Sequence, residues 1–306
     1  MTVEISVVVC TYNRCSFLQR FLYSFNNLNV IDEIPWELII VDNNSCDDTR
    51  AFVTRRQDYC TNLRYLFEGR QGKGYALNTG IDNARGNVII FTDDDVALCD
   101  DWLLEYNKAF KNQPQYHWFG GVVRPQWSNG EPRWLSDSPN RDYFKGYFVW
   151  YEIAPESRPY EPRDTLPYGA SMAIRKNVFK EVGKFREDIG VRGKIRGAGM
   201  DIDMIGRAQK HGFNGYYVNT AVCLHYVDER RLRIGSFYTY GVGRGVNHHK
   251  IEEVKKSGSI VRAIGQLIRG IVQLIRGRGD NFRITIINAG MESGRLLAKF
   301  ARKAES

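Results

Sequence analysis

Three consecutive carboxylates, Asp93, Asp94 and Asp95, follow an apolar strand predicted at Asn87–Phe91, after a single threonine. Adjacent carboxylates repel one another unless a cation or hydrogen-bond donors neutralise them. The carboxylates at positions i and i+2 can converge on one hard cation, which typically takes further ligands from substrate phosphates. The alternative is a solvated acidic turn that caps the next helix, predicted over residues 100–111. The triplet alone leaves both open, and its place after a strand favours a metal-bound diphosphate.

Two further segments carry groups that suit a nucleotide. Asp42 follows a second apolar run, where a carboxylate commonly binds a ribose or the N–H edge of a base. The alternative there is an Asx turn, because Asn43–Ser45 come next. Gly69–Gly74 offers backbone N–H groups, with Lys73 at a helix start, which suits an anionic ligand. This segment lacks the P-loop pattern, and the first turn lacks the GxGxxG of a dinucleotide fold.

Short β-rich runs alternate with helical stretches in the first half of the chain. The predicted strands are Ile5–Cys10, Glu37–Val41, Leu63–Phe67 and Asn87–Phe91, and the helices between them are Ser16–Leu28, Thr49–Tyr59 and Gly74–Arg85. This order implies a parallel sheet covered on both faces, with ligands bound beyond the carboxyl ends of its strands. We therefore expect the polar residues after the first, second and fourth strands to meet at one edge.

The composition changes over residues 116–168, which hold four of the six tryptophans among many tyrosines and prolines. This composition predicts a loop-rich region with exposed aromatic rings, which could stack on the apolar faces of a saccharide acceptor. Core packing is the ordinary alternative for any single ring. Further along, we expect a strand at Ser171–Ile174, a helix at Lys176–Val182, a helix ending near Gly212 and a strand through Cys223 before His225.

Taken together, the motifs resemble an inverting, nonprocessive family 2 glycosyltransferase of the GT-A fold. The matching segments are Ser6–Arg14, Glu37–Ser45, Gly74–Gly80, Ala84–Gly86, Phe91–Val96, Pro167–Arg175, Val182–Phe185 and Met200–Asp203. The resemblance implies an α/β fold with a mixed, mostly parallel central sheet flanked by helices. It also implies transfer of one sugar per encounter, since the QxxRW motif of processive members is absent after His225.

The resemblance assigns roles to individual residues. The nucleotide-sugar residues are Thr11, Tyr12, Arg14, Asp42, Lys73, Asp93 and Asp94. The ligands for Mn²⁺ or Mg²⁺ are Asp95, Asp93 and His225, with Asp95 as the foremost direct ligand. A packed histidine at a strand end is the alternative for His225. From the cluster of rings, Trp127, Trp134 and Tyr168 are the expected acceptor-binding residues.

Asp201 matches the catalytic base of the family. The usual Glu-Asp pair reads Met200-Asp201 in this chain, so Asp203 is an alternative base. For both aspartates the structural alternative is a negative charge at a helix N-terminus. In the implied reaction an acceptor hydroxyl attacks the sugar in line, the base takes the hydroxyl proton, and positive groups neutralise the leaving diphosphate. That geometry inverts the anomeric centre.

The expected function is sugar transfer from a nucleotide-diphosphate donor, most simply a UDP-sugar, to a hydroxyl of a saccharide or lipid-linked saccharide acceptor. This activity would serve cell-surface polysaccharide or glycoconjugate synthesis. One alternative is a sugar-1-phosphate nucleotidyltransferase, whose glycine-rich signature near the first strand is missing. Another is a carbohydrate- or lipid-binding module without catalysis, which Met200 leaves open.

Positive charge is concentrated at the C-terminal end. The formal net charge is +8, and residues 251–306 hold eleven basic against five acidic residues. Because the rest is almost balanced, the basic excess does not indicate a nucleic-acid partner. Residues 260–276 have a helical period with an apolar face opposite an Arg/Gln stripe, and 282–300 form a second, less regular segment. Such a basic amphipathic helix can lie on an anionic membrane surface, or its apolar face can pack on the catalytic body or a second subunit.

These patterns predict how the chain is divided into functional parts and where in the cell it lies. We expect a nucleotide-sugar-binding half at 1–112, an acceptor-binding and catalytic half at 113–226, and a basic helical tail at 227–306. No apolar run approaches the roughly 20 residues of a membrane-spanning helix. The N-terminus lacks the features of a secretory signal, and six scattered cysteines indicate reduced thiols. The expected location is cytoplasmic, peripheral at the inner face of the plasma membrane.

Overall fold

The structure is a computed structural model that describes residues 3–29, 34–57, 60–190, 199–252, 260–275 and 279–304. Its strands are β1 (Ile5–Thr11), β2 (Trp36–Asp42), β3 (Leu63–Phe67), β4 (Val88–Asp93), β5 (Val96–Leu98), β6 (Trp118–Trp127), β7 (Arg158–Pro159), β8 (Met172–Arg175) and β9 (Gly215–Val227). Its helices are α1 (Cys15–Asn26), α2 (Thr49–Gln57), α3 (Lys73–Asn83), α4 (Trp102–Asn112), α5 (Arg133–Ser136), α6 (Lys145–Phe148), α7 (Lys176–Val182), α8 (Met200–Lys210), α9 (Ile234–Glu252), α10 (Ile260–Ile275) and α11 (Gly279–Ala304). Short 3-10 helices lie at Arg141–Phe144 and Glu229–Leu232.

The chain divides into two compact units. Unit 1 comprises Met1–Pro125, Val149–Glu187 and Asp201–Tyr226, and unit 2 comprises Gln126–Phe148, Asp188–Met200 and Val227–Ser306. The functional division into 1–112, 113–226 and 227–306 stays a prediction. Residues 58–59, at the end of the predicted second helix, and residues 191–198 lie outside the described residues.

One mixed sheet organises unit 1, with strand order β3-β2-β1-β4-β8-β6-β9-β5 and β7 paired to β9. The first four strands in that order are parallel, and β8 joins β4 in antiparallel fashion. All of β2 and nearly all of β1 are buried, as expected for parallel strands covered on both faces. The predicted α/β architecture, with a central sheet flanked by helices and with C-terminal helices, is confirmed.

The prediction of a loop-rich region with exposed rings at 116–168 is wrong in part. Strand β6 occupies ten of these residues, and Trp118–Val123 are all buried. Tyr147, Phe148 and Tyr151 are buried as well. The sequence pattern does not reveal this strand for two reasons. Both faces of its buried part, Trp118–Val123, are covered, so polar and apolar residues do not alternate there. Gly120 and Gly121 also interrupt the apolar run. Added Cβ atoms there would collide with neighbouring residues such as Tyr160, Pro167 and Ser171.

Helix α9 lies within the predicted helical tail but outside its two amphipathic segments, and its glycines disfavour a helix in isolation. Those glycines let two helices of unit 2 approach closely. A Cβ on Gly241 or Gly245 would overlap the backbone carbonyls of Ile287 or Met291 in α11. Likewise, a Cβ on Gly290 or Gly294 of α11 would overlap the backbone carbonyl of Tyr238 or Val242 in α9. The close approach of the two backbones therefore explains a composition that otherwise indicates turns.

Within the described ranges, no helix combines the length and the apolar content that crossing a membrane requires.

We predict that Gly241→Ala or Gly290→Ala lowers the free energy of unfolding by about 1–3 kcal/mol, because the new methyl group meets backbone atoms that cannot rotate away. The control is Gly265→Ala in α10, where an added Cβ meets nothing within 4 Å. That control should be neutral or stabilising by up to about 1 kcal/mol, since alanine favours helix over glycine. Urea denaturation followed by circular dichroism measures both, and equal losses in all three variants would contradict the close packing.

Candidate active site

The register of the parallel strands aligns the ends that carry the predicted site. Thr11 pairs with Asp42 across β1 and β2, and Cys10 pairs with Asp93 across β1 and β4. Asp94 and Asp95 form the turn between β4 and β5. These residues therefore share one edge of the sheet, as expected. Strand pairing alone brings them together.

Arg14 neutralises two of the three consecutive carboxylates. Its Nη1 donates hydrogen bonds to Asp94 Oδ1 and Asp95 Oδ2, both at 2.9 Å. Thr11 Oγ1 donates a third bond to Asp94 Oδ2 at 2.8 Å. The two carboxylates are almost fully buried, with side-chain exposures of 5% and 7%. Hydrogen-bond donors and the Arg14 guanidinium thus offset the repulsion that the sequence predicts between these carboxylates.

Negative charge is still in excess at this edge. Burial raises the pKa of the Asp94 carboxyl, Arg14 opposes the rise, and the adjacent Asp95 carboxylate adds to it. The pKa therefore remains above its ordinary value although a guanidinium lies within hydrogen-bonding distance. An additional cation near these carboxylates would be stabilised electrostatically.

Lys73, at the start of α3, pairs with the first of the three aspartates. Its ammonium group donates a hydrogen bond to Asp93 Oδ1. Burial lowers the pKa of Lys73, but Asp93, and to a smaller extent Asp201, raise it above its ordinary value. Lys73 therefore stays protonated beside Asp93, and Asp201 adds a weaker electrostatic attraction. Burial also raises the pKa of Cys10 to about 12, so this neighbouring thiol is not a nucleophile at neutral pH.

Asp201 and Asp203 have different surroundings. Asp201 Oδ2 accepts a hydrogen bond from the Gly169 backbone N–H at 3.0 Å, and burial raises the pKa of this carboxyl. Asp203 accepts a bond from Arg207 Nε at 3.0 Å and lies 3.8 Å from Arg186 Nη1. Ion pairs with arginine thus occupy Asp203, whereas Asp201 lies near Lys73.

His225 lies beside Asp95 at the end of β9. Its Nε2 is 3.5 Å from Asp95 Oδ1, and the imidazole is 1% exposed. Strand pairing sets this proximity, because His225 lies opposite Val96 in the β5–β9 ladder. A buried carboxylate and an imidazole that converge in this way are suitable ligands for Mn²⁺.

The donor set fits a divalent cation that takes its other ligands from substrate. Among the described residues, no group of three or more His, Cys, Asp or Glu side chains is arranged to hold a metal by itself. Asp95 and His225 would supply two ligands, a role that stays a prediction, and Asp93 is instead paired with Lys73. Magnesium sites commonly combine one or two carboxylates with substrate phosphates, which is consistent with this arrangement. The role of Asp93 as a metal ligand stays a prediction.

Asp42 is buried and already bonded within the protein. Its Oδ1 accepts a hydrogen bond from the Ser45 N–H at 2.9 Å, and its Oδ2 accepts one from the Tyr65 hydroxyl at 2.8 Å. The Ser45 bond spans three residues, one more than the Asx turn that the sequence offered as the alternative. Tyr12, by contrast, is 41% exposed next to this edge. The nucleotide-binding roles of Asp42 and Tyr12 stay predictions.

Sequence reasoning missed Asn43, which organises the loop before α3. Its Nδ2 donates to the carbonyls of Arg70 at 2.7 Å and Glu68 at 3.2 Å, and its Oδ1 accepts from the Gly72 N–H at 2.8 Å. Gly72 has a φ of 146°, a conformation that favours glycine. The signal for Asn43 was its position directly after a strand, which suited an Asx turn equally well.

Glu68 was missed as well. Its carboxylate accepts hydrogen bonds from Arg70 and from the Thr79 hydroxyl, and the bonds from Arg70 lower its pKa to about 2. Since Thr79 belongs to α3, these bonds attach the loop to that helix. Asn43 and Glu68 together fix the start of α3 and hence the place of Lys73.

The expected acceptor-binding rings lie in both units. In unit 2, Trp134 packs on Phe144 and Phe237, and the Arg283 guanidinium lies 3.9 Å from the centre of its ring. Trp127 lines a cavity of about 380 Å³. In unit 1, the ring of Tyr168 lies 5.3 Å from that of Tyr151. Trp134 has the ordinary packing role, and the acceptor roles of all three stay predictions.

Solved structures share this fold. The chain matches a mannosyltransferase, PcManGT from Pyrobaculum calidifontis in complex with GDP-Man and Mn²⁺, with a TM-score of 0.60, 18% identity, and coverage of 100% of this chain and 75% of that one. It also matches S. aureus TarS 1-349 in complex with UDP-GlcNAc, with a TM-score of 0.57, 15% identity, and coverage of 99% and 92%. These likenesses show the GT-A glycosyltransferase fold.

Curated relatives match part of the chain. A glucosyl-dolichyl phosphate glucuronosyltransferase from Haloferax volcanii is 25% identical over 195 residues, or 62% of this chain and 58% of the relative. A GalNAc(5)-diNAcBac-PP-undecaprenol beta-1,3-glucosyltransferase from Campylobacter jejuni is 34% identical over 122 residues, or 39% of this chain and 38% of the relative. The matches thus span less than two thirds of these relatives.

The family model described as Glycosyl transferase family 2 matches residues 6–183, from the first strand through the helix α7. This range contains Arg14, Lys73 and the three consecutive aspartates. Because the match covers more than half of the sequence, the chain belongs to glycosyl transferase family 2.

Proposed function

We propose that the chain transfers a sugar, with inversion, from a nucleotide-diphosphate donor to a hydroxyl of a saccharide or lipid-linked saccharide. The observation that carries this proposal is the pair of cations, Arg14 and Lys73, that hold the three consecutive aspartates at the edge of the sheet. These cations lie where a leaving diphosphate would be bound. Asp201, in the first turn of α8, is the proposed proton acceptor on the other side of the sugar.

On the donor side, the protein supplies cations for the departing diphosphate. Arg14 and Lys73 lie at the strand ends where phosphate oxygens would be bound. As the bond to the sugar breaks, charge grows on the diphosphate, and fixed positive groups stabilise that charge. Asp95 and His225 would hold Mn²⁺ or Mg²⁺, which would supply further charge neutralisation when bound. A UDP-sugar is the proposed donor, with a GDP-sugar as the other outcome of the test.

On the acceptor side, Asp201 accepts the proton of the attacking hydroxyl. Its pKa is raised by burial, so the ionised carboxylate is a stronger base than an exposed aspartate. Asp203 is the weaker candidate, because Arg207 holds it by a hydrogen bond at 3.0 Å. In-line attack opposite the diphosphate produces inversion.

Lipid-linked acceptors are supported by the names of two relatives, which include a dolichyl phosphate and a PP-undecaprenol. The reaction would then take place at the cytoplasmic face of a membrane. In this proposal residues 1–112 bind the donor, residues 113–226 carry the base and the acceptor-binding residues, and residues 227–306 form the basic helical tail.

The direct test is release of nucleoside diphosphate from a panel of UDP- and GDP-sugars, supplied with Mn²⁺ and with saccharide or polyprenyl-diphosphate-saccharide acceptors. We expect turnover with one donor class, dependence on acceptor, and loss of turnover when EDTA is added. Absence of turnover with every donor, while nucleotide still binds, would favour a binding module that has lost catalysis.

We predict that Asp201→Asn lowers kcat by about 10²- to 10⁴-fold, because the general base is removed. The variant should be as stable as the wild type or more so, since burial disfavours the charge that it removes. The matched control is Asp203→Asn, which should lower the free energy of unfolding by about 1–3 kcal/mol through its lost ion pairs and keep the activity of the folded protein. If instead Asp203→Asn lost activity while Asp201→Asn stayed active and lost stability, Asp203 would be the base.

We also predict an acid limb in the pH profile of kcat/KM. Asp201 must be ionised to act, so activity is present above its pKa and is lost as the pH falls through that pKa. Because burial raises this pKa, the midpoint should lie above the ordinary value of about 3.9. The limb should persist in Asp203→Asn. A profile that is flat down to the ordinary value would contradict the role of Asp201.

A further inference from the structure

Helix α10 packs on α11 through small and amide side chains. Ala263 and Gly270 are buried, and Gln266 and Gln273 are partly buried, at spacings that place all four on one face. At Gly270 an added Cβ would lie 3.3 Å from the Phe282 ring and 3.4 Å from Thr285, both in α11. Small and amide residues thus face α11 over the part of α10 whose side chains the structure describes.

Those aliphatic residues form a separate, exposed face, which we call the α10 apolar face. It consists of Ile264, Leu267, Ile268, Ile271 and Val272, with exposures of 51%, 39%, 58%, 55% and 38%. At about 100° per residue these positions lie on one side of the helix, turned away from the Ala263–Gly270 contact. A contiguous exposed apolar surface on a folded protein marks an interaction site.

The charges around this face favour an anionic partner. The sequence of α10 has no acidic residue, and Arg269 is exposed while Arg262 pairs with Glu292 of α11. Lys255 and Lys256 precede the helix in the sequence, after the acidic pair Glu252 and Glu253, and Arg276 and Arg278 follow it, before Asp280. A second copy of the chain would place two basic helices face to face. A bilayer with acidic lipids would instead take up the aliphatic side chains and attract the basic ones.

We infer that α10 lies in the headgroup layer of an anionic membrane, with its apolar face toward the acyl chains. A helix of 16 residues extends about 24 Å along the surface. The inference extends the lipid-linked acceptor proposed above, because it brings the chain to the surface where such an acceptor resides. Binding to vesicles does not require sugar transfer, so the two can fail separately.

The test is flotation of the full chain with vesicles of phosphatidylcholine containing phosphatidylglycerol, and with vesicles of phosphatidylcholine alone. We expect binding to the anionic vesicles that weakens with added salt, and weaker binding to the neutral ones. The double variant Ile268→Gln/Ile271→Gln should reduce the partition coefficient by about tenfold or more, because two half-exposed side chains no longer enter the acyl boundary. Arg269→Gln should reduce it by about fivefold.

The matched control is Ile234→Gln, which removes an isoleucine with 48% exposure from α9. It should bind vesicles like the wild type, and circular dichroism should show all variants folded. Equal binding by Ile268→Gln/Ile271→Gln and the wild type would overturn the inference. So would a dimer in light scattering that the double variant dissociates, together with no vesicle binding, since the face would then be covered by a second copy.

Discussion

The site depends on mutual neutralisation of buried charges at one edge of the sheet. Asp93, Asp94 and Asp95 cannot be buried side by side without positive partners. Arg14 binds the second and third, and the Lys73 ammonium binds the first. Arg14 directly follows β1, and Lys73 lies at the start of α3, between β3 and β4. The triplet is therefore buried only because the first turn of the chain and the start of α3 place these two cations beside it.

The rest of unit 1 holds those partners in place. Strand pairing aligns Thr11, Asp42 and Asp93, and Asn43 and Glu68 fix the loop that leads to Lys73. Asp201 lies at the start of α8, and burial raises its pKa. A site that holds an excess of buried negative charge is less stable than a neutral one. A divalent cation would neutralise that excess and would in turn bind the phosphates of a substrate.

Much of this was predictable from sequence, and the exceptions have physical causes. The buried strands β1, β2 and β4 have continuous Val and Ile runs, so their ends and the residues after them could be located. Strand β6 could not, since both its faces are covered and glycines interrupt it. The different surroundings of Asp201 and Asp203 also required the structure, because only there is Arg207 seen to contact Asp203. Asn43 acts through backbone groups that sequence does not place.

The measurement that tests the central claim most directly is calorimetric titration of Mn²⁺ into the full chain, with and without UDP. We predict that UDP tightens Mn²⁺ binding, that Mn²⁺ tightens UDP binding by the same factor, as linkage requires, and that Asp95→Asn abolishes the coupling. Manganese that fails to bind in either condition, or binds equally well without Asp95, would contradict the claim that this carboxylate edge receives a cation and a diphosphate.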